Sequence, residues 1–453
     1  MEIPEGRNRI IEGPIIKNLF ILSSPMIIAM ALHTSFNFVD MLFVGRLGKE
    51  AIAAVSMAFP VQLFMIAIGG GIGIGITSLI SRNIGANNIE KAKIAAEQCL
   101  FLIVIFGIIT TILGNIIAED FFRIIGATRP VLKLVIDYIK PILTGSIFIY
   151  FSIMANSIFR GEGDTVTPMK VMISSVILNT ILDPLLIFGI GPFPRMGVSG
   201  AAIATITARG IVCFIIIYFL RTKSSISIRL FSPKLDIKSI KEIFNVGIPS
   251  SLAQLINNSS MLILLSILSR FGDTAIAAYG IGMRLDSIAF LPGLGLSSGN
   301  LIMIGQNFGA KRFDRVRKIS MVAMGITGGF MAIVGLFYLS FPDFFIRLFN
   351  SDPALVSYGT DYLKIVATSY FFIGVILVAI SSFQGSGKGS PALVITILRL
   401  FILLIPFSLI LSKYFAVNGV WWAIFISNIL SSISGLLWLF LFFRTINKNT
   451  LTN

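Results

Sequence analysis

The chain repeats a stretch of its own sequence: Arg46-Leu-Gly-Lys-Glu-Ala-Ile-Ala-Ala54 returns as Arg270-Phe-Gly-Asp-Thr-Ala-Ile-Ala-Ala278, a shift of 224 positions. The same shift relates Asn83-Ile-Gly-Ala86 to Asn307-Phe-Gly-Ala310. Because one shift holds over such distant stretches, it indicates a duplicated structural unit rather than a chance short motif. The sequence therefore predicts two similar halves.

Each half contains six apolar stretches long enough to cross a membrane. Of the 453 residues, 55% are hydrophobic and 13% charged, and a spanning helix needs about 20 apolar residues. The predicted spans are 15–45, 53–81, 94–118, 132–159, 168–190, 198–220, 240–269, 275–304, 316–342, 355–383, 391–412 and 418–443. We expect an all-α polytopic membrane protein with twelve transmembrane helices in two pseudo-symmetric six-helix bundles, which an even number of spans keeps in the same orientation.

A polar connection near the middle of the chain separates the two halves. The predicted domains are an N-lobe at 1–221, which carries a cation site, a cytoplasmic linker at 222–239, and a C-lobe at 240–453. With both termini taken as cytoplasmic, 22 Lys and Arg residues fall on the cytoplasmic side and 9 on the other. Since cytoplasmic loops carry the excess of basic residues, this distribution favours that orientation.

Two classes of function are disfavoured by the distribution of charge and glycine. The net charge of +15 is spread over loops, whereas nucleic-acid binding requires basic residues clustered on one soluble face, so no nucleic-acid partner is expected. The glycine-rich stretches 69–75 and 385–390 do not match a nucleotide-binding loop in its structural context. We expect no cofactor, and active transport would then use an ion gradient.

Two acidic residues lie at similar depth in the first half. Asp40 lies six residues before Arg46, about 9 Å below the outer end of span 1, and Asp183 lies about 12 Å deep in span 5. Thr205 is at a similar depth of about 10 Å in span 6, and Asn179 precedes Asp183 by one helical turn. Charged groups inside a membrane are costly and commonly functional. These four residues therefore predict a cation site.

The chemistry of this predicted site fits either of two coupling ions. Carboxylate, amide and hydroxyl oxygens suit Na⁺, and two neighbouring carboxylates equally suit a proton. Pro184 frees a backbone carbonyl next to Asp183. His33, Asn37 and Asp40 form one polar stripe on span 1. The alternative for Asn179 or Thr205 alone is a hydrogen bond between helices.

The second half lacks acids at the equivalent positions, because position 264 is a leucine and Asp183 corresponds to the region of Pro406. It does carry Arg284 and Asp286 inside span 8. Residues two apart on a helix do not face each other. We favour structural ion pairs with partners elsewhere for these two.

Five short motifs resemble those of the multidrug and toxic compound extrusion (MATE) family, especially its DinF-like prokaryotic branch. They are Ser24-Pro25, Asn37-Phe-Val-Asp40, Arg160-Gly-Glu-Gly-Asp164, Leu178-Asn-Thr-Ile-Leu-Asp183-Pro184 and Gly200-Ala-Ala-Ile-Ala-Thr205. The resemblance covers nearly the whole chain. It implies a secondary antiporter that exports amphipathic, often cationic drugs in exchange for H⁺ or Na⁺.

The resemblance also implies which residues bind. The cation residues would be Asp40, Asn179, Asp183 and Thr205, which would hold Na⁺ as a metal ion in a sodium-coupled protein. The substrate residues would be His33, Phe36, Asn37, Ser152, Asn156 and Met172. The protein is then expected to act as a monomer in the lipid bilayer of the plasma membrane, with small-molecule drugs as its partners.

Two other functions remain as alternatives. A flippase for a lipid-linked precursor, in the same superfamily, would line its cavity with basic residues, and Arg209, Arg284 and Arg399 keep this alternative open. An intramembrane enzyme would need a nucleophile with a base or a metal set. One histidine and two separate cysteines give little support for such an enzyme.

Overall fold

The computed structural model describes the backbone of residues 5–226, 228 and 235–451, and the side chains of 9–34, 40–226, 228 and 235–446. Within these residues the regular structure is helical, without strands. The α-helices are α1 Glu5–Glu12, α2 Ile15–Gly45, α3 Lys49–Gly85, α4 Ile89–Ile124, α5 Arg129–Thr144, α6 Ser146–Met154, α7 Asn156–Glu162, α8 Val166–Phe188, α9 Val198–Thr222, α10 Ile237–Leu268, α11 Asp273–Gly309, α12 Phe313–Ser340, α13 Pro342–Arg347, α14 Pro353–Val366, α15 Tyr370–Gly385, α16 Ser390–Ile397 and α17 Ile405–Leu451. Two 3₁₀ turns, Ser269–Phe271 and Ala367–Ser369, and a π-helical segment, Leu398–Leu404, complete them.

Twelve membrane spans account for the long helices of the described chain. Ten helical segments are long and apolar enough to cross a membrane, and α5 with α6–α7, bent by 54°, forms an eleventh. The last of the ten, Ser390–Ile446, has 57 residues, about 85 Å of helix, which is far more than one bilayer crossing. Ala416 leaves the helical conformation at φ 48 and ψ −131, so this segment is two spans. The predicted all-α polytopic fold is confirmed.

The duplication is visible in the backbone as well as in the sequence. Helices α3 and α11 both have 37 residues and begin 224 positions apart. Each follows a glycine with positive φ and ψ 174, Gly48 and Gly272. The turn after each helix contains a residue in the left-handed region, Asn87 at φ 59 and Lys311 at φ 58. Equivalent sequence positions therefore adopt equivalent backbone conformations.

The described chain forms two compact units. The first contains Ile28–Gly247, and the second contains Arg7–Ile27 and the chain from Ile248 onward. They differ from the predicted lobes in two segments, 7–27 and 240–247, because the ends of α2 and α10 pack away from the half that encodes them. Gly75 of α3 lies so close to α10 that a Cβ there would overlap the Ile243 carbonyl oxygen. Helix packing, rather than the polar linker, sets the boundary.

Small residues bring the helices of the first unit together around its centre. A Cβ at Gly200 of α9 would overlap the backbone of Leu186 in α8, so this glycine allows close approach of the two helices. At the bend between α5 and α6, a Cβ at Gly145 would overlap the side chain of Ile206 in α9. Helix α9 is therefore held against α5 and α8, which carry the polar residues described next.

Candidate cation and substrate site

The structure brings Asp40 of α2 and Asp183 of α8 together inside the first unit. Asp183 is fully buried and Asp40 is half-buried. The Asp40 carboxyl is close enough to act electrostatically on Asp183. Neither acid forms a salt bridge with the basic residues that the structure describes. The first unit therefore contains a buried pair of acids without a basic partner.

Several polar atoms of this cluster have no hydrogen-bond partner within the described chain: both Asp183 oxygens, Oδ1 of Asp40 and Nδ2 of Asn179. Asn179 lies next to the Asp183 carboxyl, one turn earlier on α8, but the contact does not reach hydrogen-bond geometry. A buried polar atom without a partner costs about 1 to 3 kcal/mol, and more if it is charged. A proton or a small cation bound to the carboxyl oxygens would lower the part of this cost that comes from the two acids.

Thr205 joins the cluster from α9. It is half-buried and lines the same cavity as Asn179. The hydroxyl of Thr205, the amide of Asn179 and the two carboxyls are oxygen-bearing groups of the kind that Na⁺ prefers as ligands. The orphaned Asp183 oxygens are the observation that fits either ion. All four predicted cation residues are in this region of the first unit.

Tyr138 of α5 is a further member of the cluster that the sequence interpretation missed. Its side chain is buried, and its hydroxyl accepts a hydrogen bond of 3.2 Å from Nε2 of Gln62 in α3. The charges of Asp40, Asp183 and Arg209 all act on this phenol. The segment that contains it, Asp137-Tyr-Ile-Lys140, recurs 224 positions later as Asp361-Tyr-Leu-Lys364. This recurrence is the feature of the sequence that could have indicated a role for Tyr138.

A cavity of about 180 Å³ adjoins the cluster within the first unit. Four of the six predicted substrate residues line it: His33, Ser152, Asn156 and Met172. The other two, Phe36 and Asn37, fall outside the described side chains. The remaining lining residues are Ile66, Ile153, Val171, Ser175, Val176, Asn179, Thr205, Arg209 and Val212. The cavity is therefore amphipathic and shares two residues with the acid cluster.

In the second unit, Asp286 is held by tyrosines rather than by a charged group. Its Oδ2 accepts a 2.6 Å hydrogen bond from the Tyr362 hydroxyl, and its Oδ1 accepts one of 2.5 Å from Tyr370. Arg284 is exposed and forms no salt bridge with a described residue. The predicted ion pairing of these two residues is wrong, because phenol hydroxyls satisfy the carboxylate instead.

Arg399, the other arginine inside a span of the second unit, is hydrogen-bonded to an amide rather than to an acid. Its Nη2 donates a 2.8 Å hydrogen bond to Oδ1 of Asn257 in α10. Arg399 lies in the π-helical segment Leu398–Leu404. Within the second unit, therefore, Arg284 is exposed and Arg399 is bonded to an amide, and neither forms a salt bridge with a described residue.

Comparisons with known proteins agree on one family. The family model named MatE matches residues 25–185 and 249–410, two segments that begin 224 positions apart. A FAD transporter of Shewanella oneidensis is 30% identical, over 95% of both chains. The multidrug export protein MepA of Staphylococcus aureus is 28% identical, over 95% of this chain and 94% of that protein.

The solved structures lead to the same family. A structure described as the outward-facing conformation of a multidrug resistance MATE family transporter of the MOP superfamily superposes with a TM-score of 0.92. It is 29% identical in sequence and covers 99% of this chain and 100% of its own. The resemblance found in the motifs is confirmed, and so is the expectation that the protein is not an enzyme. The chain belongs to the MATE family of membrane transporters.

Proposed function

We propose that this chain is a cation-coupled antiporter that exports amphipathic compounds, with Asp40, Asn179, Asp183 and Thr205 as the coupling site. The observation that carries the proposal is the buried Asp183 carboxyl, both of whose oxygens lack a described partner beside Asp40. The similarity to a multidrug export protein over nearly the full length supports drugs as the cargo. None of the relatives described above has a lipid-linked cargo in its name, so the flippase alternative gains no support.

Coupling follows from the residues that the two sites share. Asn179 and Thr205 border the acid cluster and also line the cavity. A cation that binds the acids draws these two side chains towards the carboxylates and changes the shape and charge of the cavity wall. In this way the bound cation weakens substrate binding. By thermodynamic linkage, a substrate in the cavity weakens cation binding by the same factor. This reciprocity is the requirement for antiport.

H⁺ and Na⁺ are both compatible with the proposed site. Protonation neutralises a carboxylate that has no basic partner, and Na⁺ would use the carboxyl, amide and hydroxyl oxygens as ligands. The four residues would hold the ion, and its single positive charge would offset one of the two acid charges. No other cofactor enters the proposal.

The proposed setting is the plasma membrane, with both termini in the cytoplasm. The excess of Lys and Arg in the loops on one side supports this orientation. Because a single chain carries both halves of the repeat, we expect the monomer to contain a complete transport pathway.

Efflux from proteoliposomes tests the proposal. Purified protein is reconstituted with ethidium as the probe, and H⁺ and Na⁺ gradients are imposed separately. We expect at least one gradient to drive ethidium transport, and its dissipation by a matching ionophore to stop transport. Empty liposomes and the Asp183→Asn variant are the controls. Ethidium movement that is independent of both gradients, or none in the wild type under either, would overturn the proposal.

A further inference from the structure

Arg209 is a basic group in the wall of the cavity of the first unit. It lies in the middle of α9, one turn after Thr205, and both line the cavity. An arginine side chain at this depth of a membrane is costly and stays charged. We therefore expect the Arg209 guanidinium to have a partner of opposite charge, either in the protein or in a ligand.

The described chain supplies no acid to Arg209. It forms no salt bridge with the described residues. The groups that interact with it electrostatically are the Tyr138 phenol, the Cys213 thiol and the His33 imidazole. Asp40 and Asp183 act on Tyr138 and on each other but are not among these neighbours. The guanidinium therefore lines the cavity without a salt bridge to any acid that the structure describes.

We propose that Arg209 binds an anionic group of the substrate, so that the cavity accepts amphipathic compounds carrying a carboxylate or phosphate, zwitterions included. A guanidinium binds such groups through two parallel charge-assisted hydrogen bonds. The apolar body of the compound would contact Ile66, Val176 and Val212, which line the same cavity. This inference rests on the proposed function and narrows its substrate class.

A zwitterion fits both ends of this arrangement. Asn179 and Thr205 of the acid cluster line the cavity together with Arg209. The anionic group of the substrate is attracted by Arg209, and a cationic group by the acids of the cluster. A compound with a cationic group alone, such as ethidium, leaves Arg209 without a partner and is bound more weakly, through its attraction to the acids. The cavity should therefore prefer a free acid over its ester when the rest of the molecule is unchanged.

Rhodamine 110 and rhodamine 123 form a suitable probe pair, since the second is the methyl ester of the first and differs only in the absence of the free carboxylate. Binding of each dye to the detergent-solubilised full chain is measured by fluorescence polarisation. We expect the wild type to bind rhodamine 110 more tightly. Arg209→Gln should weaken the binding of rhodamine 110 by about tenfold or more, the effect of losing about one charge-assisted pair. The affinity for rhodamine 123 should be unchanged or higher.

Two further variants separate recognition from folding. Arg209→Lys keeps the charge but loses the planar fork, so an intermediate loss of rhodamine 110 binding is expected. Arg284→Gln removes the same charge from an exposed position of the second unit and should change neither dye. A wild type that prefers the ester, or an Arg209→Gln variant that weakens both dyes equally, would overturn the inference. Either result leaves gradient-driven ethidium efflux, and hence the proposed function, standing.

Discussion

Asp183 is the residue on which the proposed ion coupling depends most. It is completely buried, and its carboxyl oxygens have no hydrogen-bond partner within the described chain. An ionised carboxylate in such a place is strongly unfavourable unless a cation compensates it. The nearby charge of Asp40 makes full ionisation of both acids more costly still. We therefore expect the pair to hold a proton or Na⁺ whenever the site is closed to water.

We expect Asp40→Asn and Asp183→Asn each to abolish gradient-driven ethidium efflux, because an amide can neither release a proton nor balance the charge of Na⁺. Folding should survive, since removal of an uncompensated buried charge does not destabilise a protein. Efflux from proteoliposomes and the thermal midpoint of unfolding are the two measurements. Glu119→Gln is the control, because Glu119 is exposed and its salt bridge within the described chain is to Arg123. Efflux at the wild-type rate in either acid variant would exclude that acid from coupling.

The sequence predicted the part of this site that depends on local spacing. Asn179 and Asp183 are one turn apart on one helix, so their proximity could be predicted without a structure. The approach of Tyr138 to the acids, and of Arg209 to Tyr138, could not be predicted, because both depend on how α5, α8 and α9 pack. Of the glycines that permit this packing, Gly200 belongs to a family motif and Gly145 does not, and the sequence does not show which helix either of them approaches.

At the scale of helices, the number of spans was predictable but their bends were not. The fourth predicted span, 132–159, is in the structure two segments joined at a bend of 54°. Pro141 lies in the last turn of α5 and Gly145 at the bend itself, but similar residues occur inside straight helices. The apolar pattern records burial and length, whereas bending depends on contacts with neighbouring helices.

Glu162, at the C-terminal end of α7, anchors the start of the connection between the two halves. Its side chain is buried. Its Oε1 accepts a hydrogen bond from the Ser224 hydroxyl, and its Oε2 accepts one of 3.1 Å from the backbone N–H of Ser225. Ile226 follows and is itself 1% exposed. This glutamate belongs to the Arg-Gly-Glu-Gly-Asp motif, so the motif has a structural role in fixing the exit of α9.

We expect Glu162→Ala to release this anchor, so that the chain after α9 unfolds locally and trypsin cleaves more readily at Arg221 and Lys223, whose side chains are already exposed. Hydrogen bonds to a charged group contribute about 1.5 to 3 kcal/mol, so cleavage of the detergent-solubilised protein should be about tenfold faster or more. The measurement is the appearance of the two half-chain fragments with time. Glu119→Ala, which removes an exposed glutamate, should cleave at the wild-type rate. Equal rates for the two variants would show that Glu162 does not hold the connection.

The repeat places in each unit a tyrosine that is hydrogen-bonded to a polar side chain, and the chemistry of that partner differs between the two units. Tyr138 and Tyr362 are equivalent under the shift of 224, and so are their partners, Gln62 and Asp286. Gln62 donates to Tyr138 at 3.2 Å, whereas Asp286 accepts from Tyr362 at 2.6 Å. In the first unit the acids are not part of this pair, and both oxygens of Asp183 and Oδ1 of Asp40 lack a hydrogen-bond partner among the described residues. In the second unit Asp286 is itself the partner of the tyrosine, and both of its oxygens accept hydrogen bonds.

This difference predicts a division of roles between the units. Leu264 occupies the position equivalent to Asp40 and is buried, so the second unit has no counterpart of that acid. Asp286 is half-buried, and both its oxygens accept hydrogen bonds, so it has less need of an added cation. We therefore expect the first unit to couple transport to the ion, and Asp286 to stabilise the packing of α11 against α14 and α15.

The variants Asp286→Asn and Asp40→Asn, examined side by side, test this division. Asp286→Asn keeps one carbonyl acceptor, and an amide is already accommodated beside the equivalent tyrosine by Gln62, so we expect a loss of stability of only about 1 to 2 kcal/mol. Its drug affinity should still vary with pH and Na⁺ as in the wild type, whereas that of Asp40→Asn should not. The measurement is drug affinity across a matrix of pH and Na⁺ concentrations, with thermal unfolding as the check on folding. If Asp286→Asn loses the cation dependence while Asp40→Asn retains it, the coupling site lies in the second unit.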